Sequence, residues 1–272
     1  MADLSLKLLR ASTAVDRIYR RFNRMRELAV VTLASDSALA RFNERSYGQA
    51  SRYQPNSGGY VSGLYPWEEQ AIKEYFPLAP AHILVGGAGS GREPFALSDL
   101  GYQVTAFEPV LSLVDAMQQQ RNAQDRVGVA CYAGGYEGLP FVMAPPHGER
   151  VHLSGIGPFD AAILGWGSFS HICDERQRQN TLRHFGELTS GPILLSFTST
   201  REDGEFRTSG IGSKLLKRKH RHPADRFSMS MGFQHPVTEL EVRQLADRAD
   251  LTVLKIDFSS TSLAPHAVLQ RS

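Results

Sequence analysis

Ile83, Leu84 and Val85 run into Gly86, Gly87, Ala88, Gly89, Ser90 and Gly91, and further on Val104 to Phe107 closes on Glu108 and Pro109. An apolar β-rich run, a glycine turn, a helical segment, a second apolar run and then an acid describe alternating strands and helices with a nucleotide site at the strand ends. Residues without a Cβ take positive φ and let a ligand come close to the backbone. An acid closing the second strand is placed to accept hydrogen bonds from a ribose diol.

The glycine spacing separates nucleotide classes. A dinucleotide fingerprint, G-x-G-x-x-G/A, fails in both frames: from Gly87 the third small residue would be Arg92, and from Gly86 the second glycine would be Ala88. That disfavours a nicotinamide-dependent reductase. The spacing G-x-G-x-G is met in full by Gly87, Gly89 and Gly91. A glycine motif alone is weak evidence, and Glu108 is its independent support.

At 272 residues the chain can bury a substantial core, which predicts one domain with a helical extension. A formal net charge of +2 is not that of a dedicated nucleic-acid binder. Cys131 and Cys173 show no disulfide framework and no metal-ligand spacing, so no metal is expected and a cytoplasmic, reducing setting fits. No run of about 18 apolar residues exists to span a membrane, and the start lacks a basic segment leading into a long apolar stretch.

Residues 4–46 read as amphipathic, basic helices, with Leu4, Leu8, Leu9, Val15, Ile18, Tyr19, Phe22, Met25, Leu28, Ala29 and Leu33 at three- and four-residue spacing. They form either a helical cap packed on the rest of the chain or a face that sits on an anionic membrane surface. Residues 47–60, aromatic and glycine-rich, read as a loop and a lid. A helix is expected to start at about Pro66, followed by strands at 81–85, 103–107, 127–133, 161–164 and 192–197, with helices at 93–100, 110–123, 175–188 and 238–250. Residues 198–236 break that rhythm as an insertion carrying a basic run from Lys214 to Arg226. Residues 253–258 and 267–269 are expected to end the chain as an antiparallel pair.

Over residues 66–272 the chain resembles the class I S-adenosylmethionine-dependent methyltransferases of the small-molecule type. The glycine turn with Glu108 is similar to their first motif. Gly134 to Phe141 is similar to the turn after their third strand, and Phe159 to Leu164 to the entry of their fourth. Gly165, Trp166, Gly167, Ser168, Phe169, Ser170 and His171 resemble the stretch that follows it. The resemblance implies a doubly wound, mostly parallel seven-stranded sheet with residues 1–65 as N-terminal helical cap and lid. It implies S-adenosylmethionine as cofactor and Gly87, Ala88, Gly89, Gly91, Glu108, Pro109, Gly135, Tyr136, Gly165 and Trp166 as its binding residues.

Two positions depart from that pattern. Val85 stands where the family's first motif has an acid, and Gly135 where an acid often meets the adenine amino group. Tyr136 is then a candidate to stack beside the adenine. Both departures keep open a noncatalytic binding protein that retains the fold.

Methyl transfer needs a nucleophile held in line with the bond being broken, and a base only where the nucleophile arrives protonated. His171 is the candidate base; the alternative is that it orders the turn or the next helix. Tyr53, Tyr60, Tyr65 and Trp67 are candidates to close over substrate or donor. An Asn/Asp-Pro-Pro-Tyr/Phe signature is missing after the fourth strand, which lowers a nucleic-acid reading, while the basic run keeps an RNA methyltransferase as an alternative. The leading expectation is an enzyme with a small-molecule acceptor; its oligomeric state is not legible.

Overall fold

The computed structural model describes residues 2–55, 63–145, 148–199, 222, 224–259 and 264–272. Two helices open the chain, α1 (Ala2–Leu33) and α2 (Asp36–Gln49). They are separated by Ser35, whose hydroxyl accepts a hydrogen bond from the Ala38 amide as a helix cap. The stretch read as a loop from residue 47 starts inside α2 and continues as a short 3-10 turn, Ser51–Tyr53. Tyr60 and most of the basic run lie outside the described residues.

From α3 (Pro66–Tyr75) onward strands and helices alternate as expected. They are β1 (His82–Gly86), α4 (Arg92–Asp99), β2 (Gln103–Glu108), α5 (Leu111–Ala123), β3 (Val129–Ala133), β4 (Phe141–Ala144) and β5 (Glu149–His152). After these come β6 (Ala161–Leu164), α6 (Glu175–Leu188), β7 (Ile193–Ser196), β8 (Arg226–Ser228), β9 (Gly232–Gln234), α7 (Glu239–Arg248), β10 (Leu251–Asp257) and β11 (His266–Arg271).

The main sheet runs β10-β11-β7-β6-β1-β2-β3-β4-β5. Strands β3, β2, β1, β6 and β7 are parallel, and β11 enters antiparallel between β7 and β10. The seven strands from β10 to β3 match the expected architecture. An antiparallel hairpin, β4 with β5, widens the sheet beyond β3. Strand β5 is polar and largely exposed, and β4, apolar from Phe141 to Ala144, is fully buried only at Val142, so neither is a strand covered on both faces.

One apolar layer packs on each sheet face. Leu84, Phe107, Phe159, Phe185 and Leu195 lie in one, and Ile83, Val85, Val104, Ile163 and Val268 in the other. Successive residues of β1 point to opposite faces, so a strand buried on both sides must be apolar throughout. A third cluster, with Val31, Leu39, Phe227 and Phe233, fastens α1 and α2 to the β8–β9 hairpin.

Candidate functional site

The chain leaves β1 toward β2 on one side and reaches β6 on the other, so the strand order reverses between β1 and β6. Open α/β sheets bind ligands outside the carboxyl ends of the strands at this point. Gly87, Gly89 and Gly91 follow β1 with φ of +66°, +57° and +104°. A Cβ on Gly87 would meet the Ser168 Cβ at 2.8 Å, and one on Gly91 the Phe95 ring at 2.5 Å. The nearest atom to a Cβ on Gly89 is Tyr53 Cδ1, at 3.9 Å. Two of the glycines are therefore demanded by the protein's own packing, while Gly89 lines a gap beneath Tyr53. Ala88 is packed into the core.

Glu108 ends β2, buried, and folds back on the turn. Its Oε2 accepts from the Gly89 amide at 2.9 Å and its Oε1 from the Val110 amide at 3.1 Å. Burial raises its pKa to about 7; the two amides pull it down, and the charges of Glu93 and Glu44 add to the rise. Pro109, half-buried, leads into α5.

Tyr136 departs from the expectation of an adenine platform. Its ring is buried edge-on against Phe107, and its hydroxyl donates to the Gly86 carbonyl at 2.9 Å and lies 2.6 Å from Ser168 Oγ. It braces the glycine turn from beneath. Burial pushes the phenol pKa well up, so the hydroxyl stays protonated. A Cβ on Gly135 would meet both Glu137 carboxylate oxygens at 2.5 Å, the far end of an exposed side chain. An exposed carboxylate thus stands beside the position where the sequence lacks one.

Gly165 follows β6, and its amide donates to the Gly86 carbonyl at 2.7 Å. A Cβ on it would collide with the Gly87 carbonyl. Trp166 is 41% exposed, with its ring 5.2 Å from that of Tyr65. Its amide donates to Glu93 Oε1 at 3.2 Å, so a buried acid from α4 serves the turn although position 85 has none. Arg92 forks onto Glu68 with both contacts at 2.7 Å and lies over the Tyr65 ring. Trp67, expected in the lid, is instead a core residue stacked on His266 at 4.9 Å. An apolar residue on the inward side of α3 is held by packing, and that overrides any sequence hint of a lid.

Beyond the glycine turn the rings of Tyr53, Tyr47 and His171 form a chain, with successive centroids 5.0 Å and 4.9 Å apart. His171 Nδ1 donates to the Phe233 carbonyl at 2.7 Å. A carbonyl only accepts, so the proton sits on Nδ1 and Nε2 is left as the acceptor. That Nε2 takes the hydrogen bond of the Tyr47 hydroxyl. Sequence reasoning missed Tyr47, because nothing local announces that a residue of α2 will meet a histidine 124 positions further along the chain. Helix α2 is seated by Asn43, whose Oδ1 accepts from the Phe233 amide at 2.8 Å. A Cβ on Gly48 would lie 3.1 Å from Val110, so α2 closes over the end of β2.

The strand β9 that carries Phe233 is pinned in turn. His235, next along the chain, lies buried between Asp225 at 2.6 Å and Glu241 at 2.7 Å, and Arg178 reaches Glu241 at 3.2 Å. Burial alone would lower the His235 pKa, but the bonds to the two carboxylates outweigh it and raise it. His222, Asp225 and His235 bring ligand-type atoms within 4.8 Å of one another, a grouping their sequence spacing did not suggest. Both His235 nitrogens face carboxylates, the arrangement of a protonated ring.

No protein-family model and no curated protein matches the chain. Solved structures do. The CcbJ methyltransferase from Streptomyces caelestis aligns at TM-score 0.58 and 15% identity, over 84% of this chain and 99% of that one. The 1,6-didemethyltoxoflavin N1-methyltransferase from Burkholderia thailandensis, with bound 1,6-didemethyltoxoflavin and S-adenosylhomocysteine, aligns at 0.59 and 17%, over 88% and 92%. The fold is that of the class I methyltransferases. Magnesium protoporphyrin IX methyltransferase from Synechocystis PCC 6803, with bound SAM, shares it at TM-score 0.53 and 14% identity, over 88% and 98%. Among the described residues no helix is long and apolar enough to cross a membrane.

Proposed function

We propose that the protein is an S-adenosylmethionine-dependent methyltransferase acting on a small-molecule acceptor. The observation that carries this reading is the pairing of Gly89, over which the nearest atom to a Cβ is Tyr53 Cδ1 at 3.9 Å, with the buried Glu108 carboxyl 2.9 Å from its amide. Residues 66–272 form the donor-binding domain, and residues 1–65 the cap and lid. Two buried cysteines without a disulfide agree with a reducing, cytoplasmic setting.

S-adenosylmethionine supplies an electrophilic methyl group on a sulfonium sulfur. Glu108 accepts from the ribose hydroxyls, and the backbone of Gly87 to Gly91 lies against the nucleoside. Glu137 faces the adenine edge in place of an acid at 135. Trp166, held by Glu93, and Tyr65, held by Arg92, wall the methionine end. His171 Nε2, reached through the Tyr47 hydroxyl, takes the proton of an acceptor that arrives protonated.

Titration calorimetry with S-adenosylhomocysteine tests the donor site. Glu108→Gln keeps the shape of the side chain and loses its charge, so affinity should fall roughly 10- to 100-fold, as expected for one or two hydrogen bonds to a charged group. Unchanged affinity, with native thermal stability, would sink the ribose assignment.

A further inference from the structure

Helix α1 leaves a row of large apolar side chains in water. Val15, Ile18, Tyr19, Phe22 and Met25 are 64%, 70%, 64%, 65% and 64% exposed. Among the described side chains of the helix, those around Leu28, Val30 and Val31 pack on the body of the protein. A 32-residue helix is about 48 Å long, and its stretch from Val15 to Met25 presents these side chains to water.

The row has a period. Val15, Ile18, Phe22, Met25 and Ala29 alternate spacings of three and four, the a and d positions of a heptad, and in the sequence the same register runs back through Ala11, Leu8 and Leu4. Over several turns this narrow seam is what a second helix requires. A helix lying on a membrane instead carries a broad apolar face. Arg17, Arg20 and Arg24 fall at c, f and c, on the far side of α1, where a partner helix leaves them in water. Covered on two copies, the five exposed side chains would remove on the order of 1,000 Å² from water, close to the lower bound of about 1,200 Å² for specific interfaces.

We propose that α1 is a dimerisation helix whose partner is α1 of a second copy of this chain, running antiparallel. Charge decides the direction. Parallel pairing in register sets Arg21 at g beside Arg26 at e of the other copy, two like charges at the seam edge. Antiparallel pairing centred between Val15 and Ile18 sets Arg21 beside Ala14 and Arg26 beside Ser5. It also seats Val15 against Ile18 and Phe22 against the small Ala11. The arrangement is isologous and closes on itself as a two-fold dimer.

Light scattering coupled to gel filtration at micromolar concentration reads the state directly. The full chain should elute at twice its 30.1 kDa. Ile18→Glu with Phe22→Glu should elute as a monomer with unchanged far-ultraviolet circular dichroism and unfolding midpoint, and Arg17→Glu with Arg24→Glu should remain a dimer. Val15→Cys with Ile18→Cys should form intermolecular disulfides under mild oxidant. A wild-type monomer, or a dimer that survives Ile18→Glu with Phe22→Glu, would overturn the proposal. So would a monomer that sediments with phosphatidylglycerol vesicles in a Phe22-dependent way, since the seam would then belong to lipid.

Discussion

Glu108 sits in the folded protein with a pKa of about 7, far above an ordinary carboxyl near 4.3. The folded state therefore keeps this proton where the unfolded chain has lost it, and the group weakens the fold as pH rises from about 4.3 to 7. Ribose hydroxyls donate to the charged form, so binding S-adenosylhomocysteine at pH 7 should release about half a proton. Calorimetry in buffers of different ionisation enthalpy reads that release, and a binding heat independent of buffer would contradict it. At the acceptor end, Tyr47→Phe should lower transfer of a labelled methyl group by about 100-fold, the lower range of acid–base assistance, with donor affinity within twofold. Equal losses of donor affinity and thermal stability would make the Tyr47–His171 contact structural. Glu108 was legible because it ends a recognisable strand, and His171 because it closes the short turn that follows β6. Tyr47, Glu93 and Glu137 were not, since their roles depend on where distant backbone brings them.

Elements were legible in proportion to their burial. Strands β1, β2 and β6 are apolar on both faces and stand out from any polar neighbour, and α6 was read to its ends because Asp174 caps it at the Gln177 amide, 3.0 Å away. The β4–β5 hairpin is mostly solvated, and the hairpin β8–β9 is held by buried charges and hydrogen bonds that no periodicity reports. His235 gives that hairpin a pH dependence. Its raised pKa means its contribution is complete below the ordinary histidine range near 6.5 and fades as pH climbs through the folded value. His235→Ala should cost about 3–5 kcal/mol, the range for breaking a buried pair. The stability gap between wild type and variant in urea melts should narrow above that range, and a gap constant from pH 6 to 9 would contradict the assignment. Helix α2 was expected as cap and found to cover the end of β2 through Gly48. Gly48→Val must push it off Val110 and Ser112, which lie 3.1 Å and 3.2 Å from the new Cβ. Dissociation of S-adenosylhomocysteine in stopped flow should accelerate several-fold; an unchanged rate would mean that α2 does not gate the crevice.

At the scale of the whole molecule, the alternation of strands and helices was enough to read a doubly wound sheet, while the strand order, with its reversal between β1 and β6, is seen only in the structure. The surroundings of the site were less legible, for they come from the N-terminal helices and from the segment after β7, whose packing is long-range. The central claim is that the glycine turn after β1 and the carboxyl at the end of β2 together hold the adenosyl group of S-adenosylmethionine. A crystal structure of the protein grown with S-adenosylhomocysteine tests it most directly. Both ribose hydroxyls should lie within hydrogen-bond distance of Glu108, with the nucleoside running along Gly87 to Gly91 beneath α2. Density for the nucleoside elsewhere, or a crevice that takes NAD in preference at equal concentration, would contradict it.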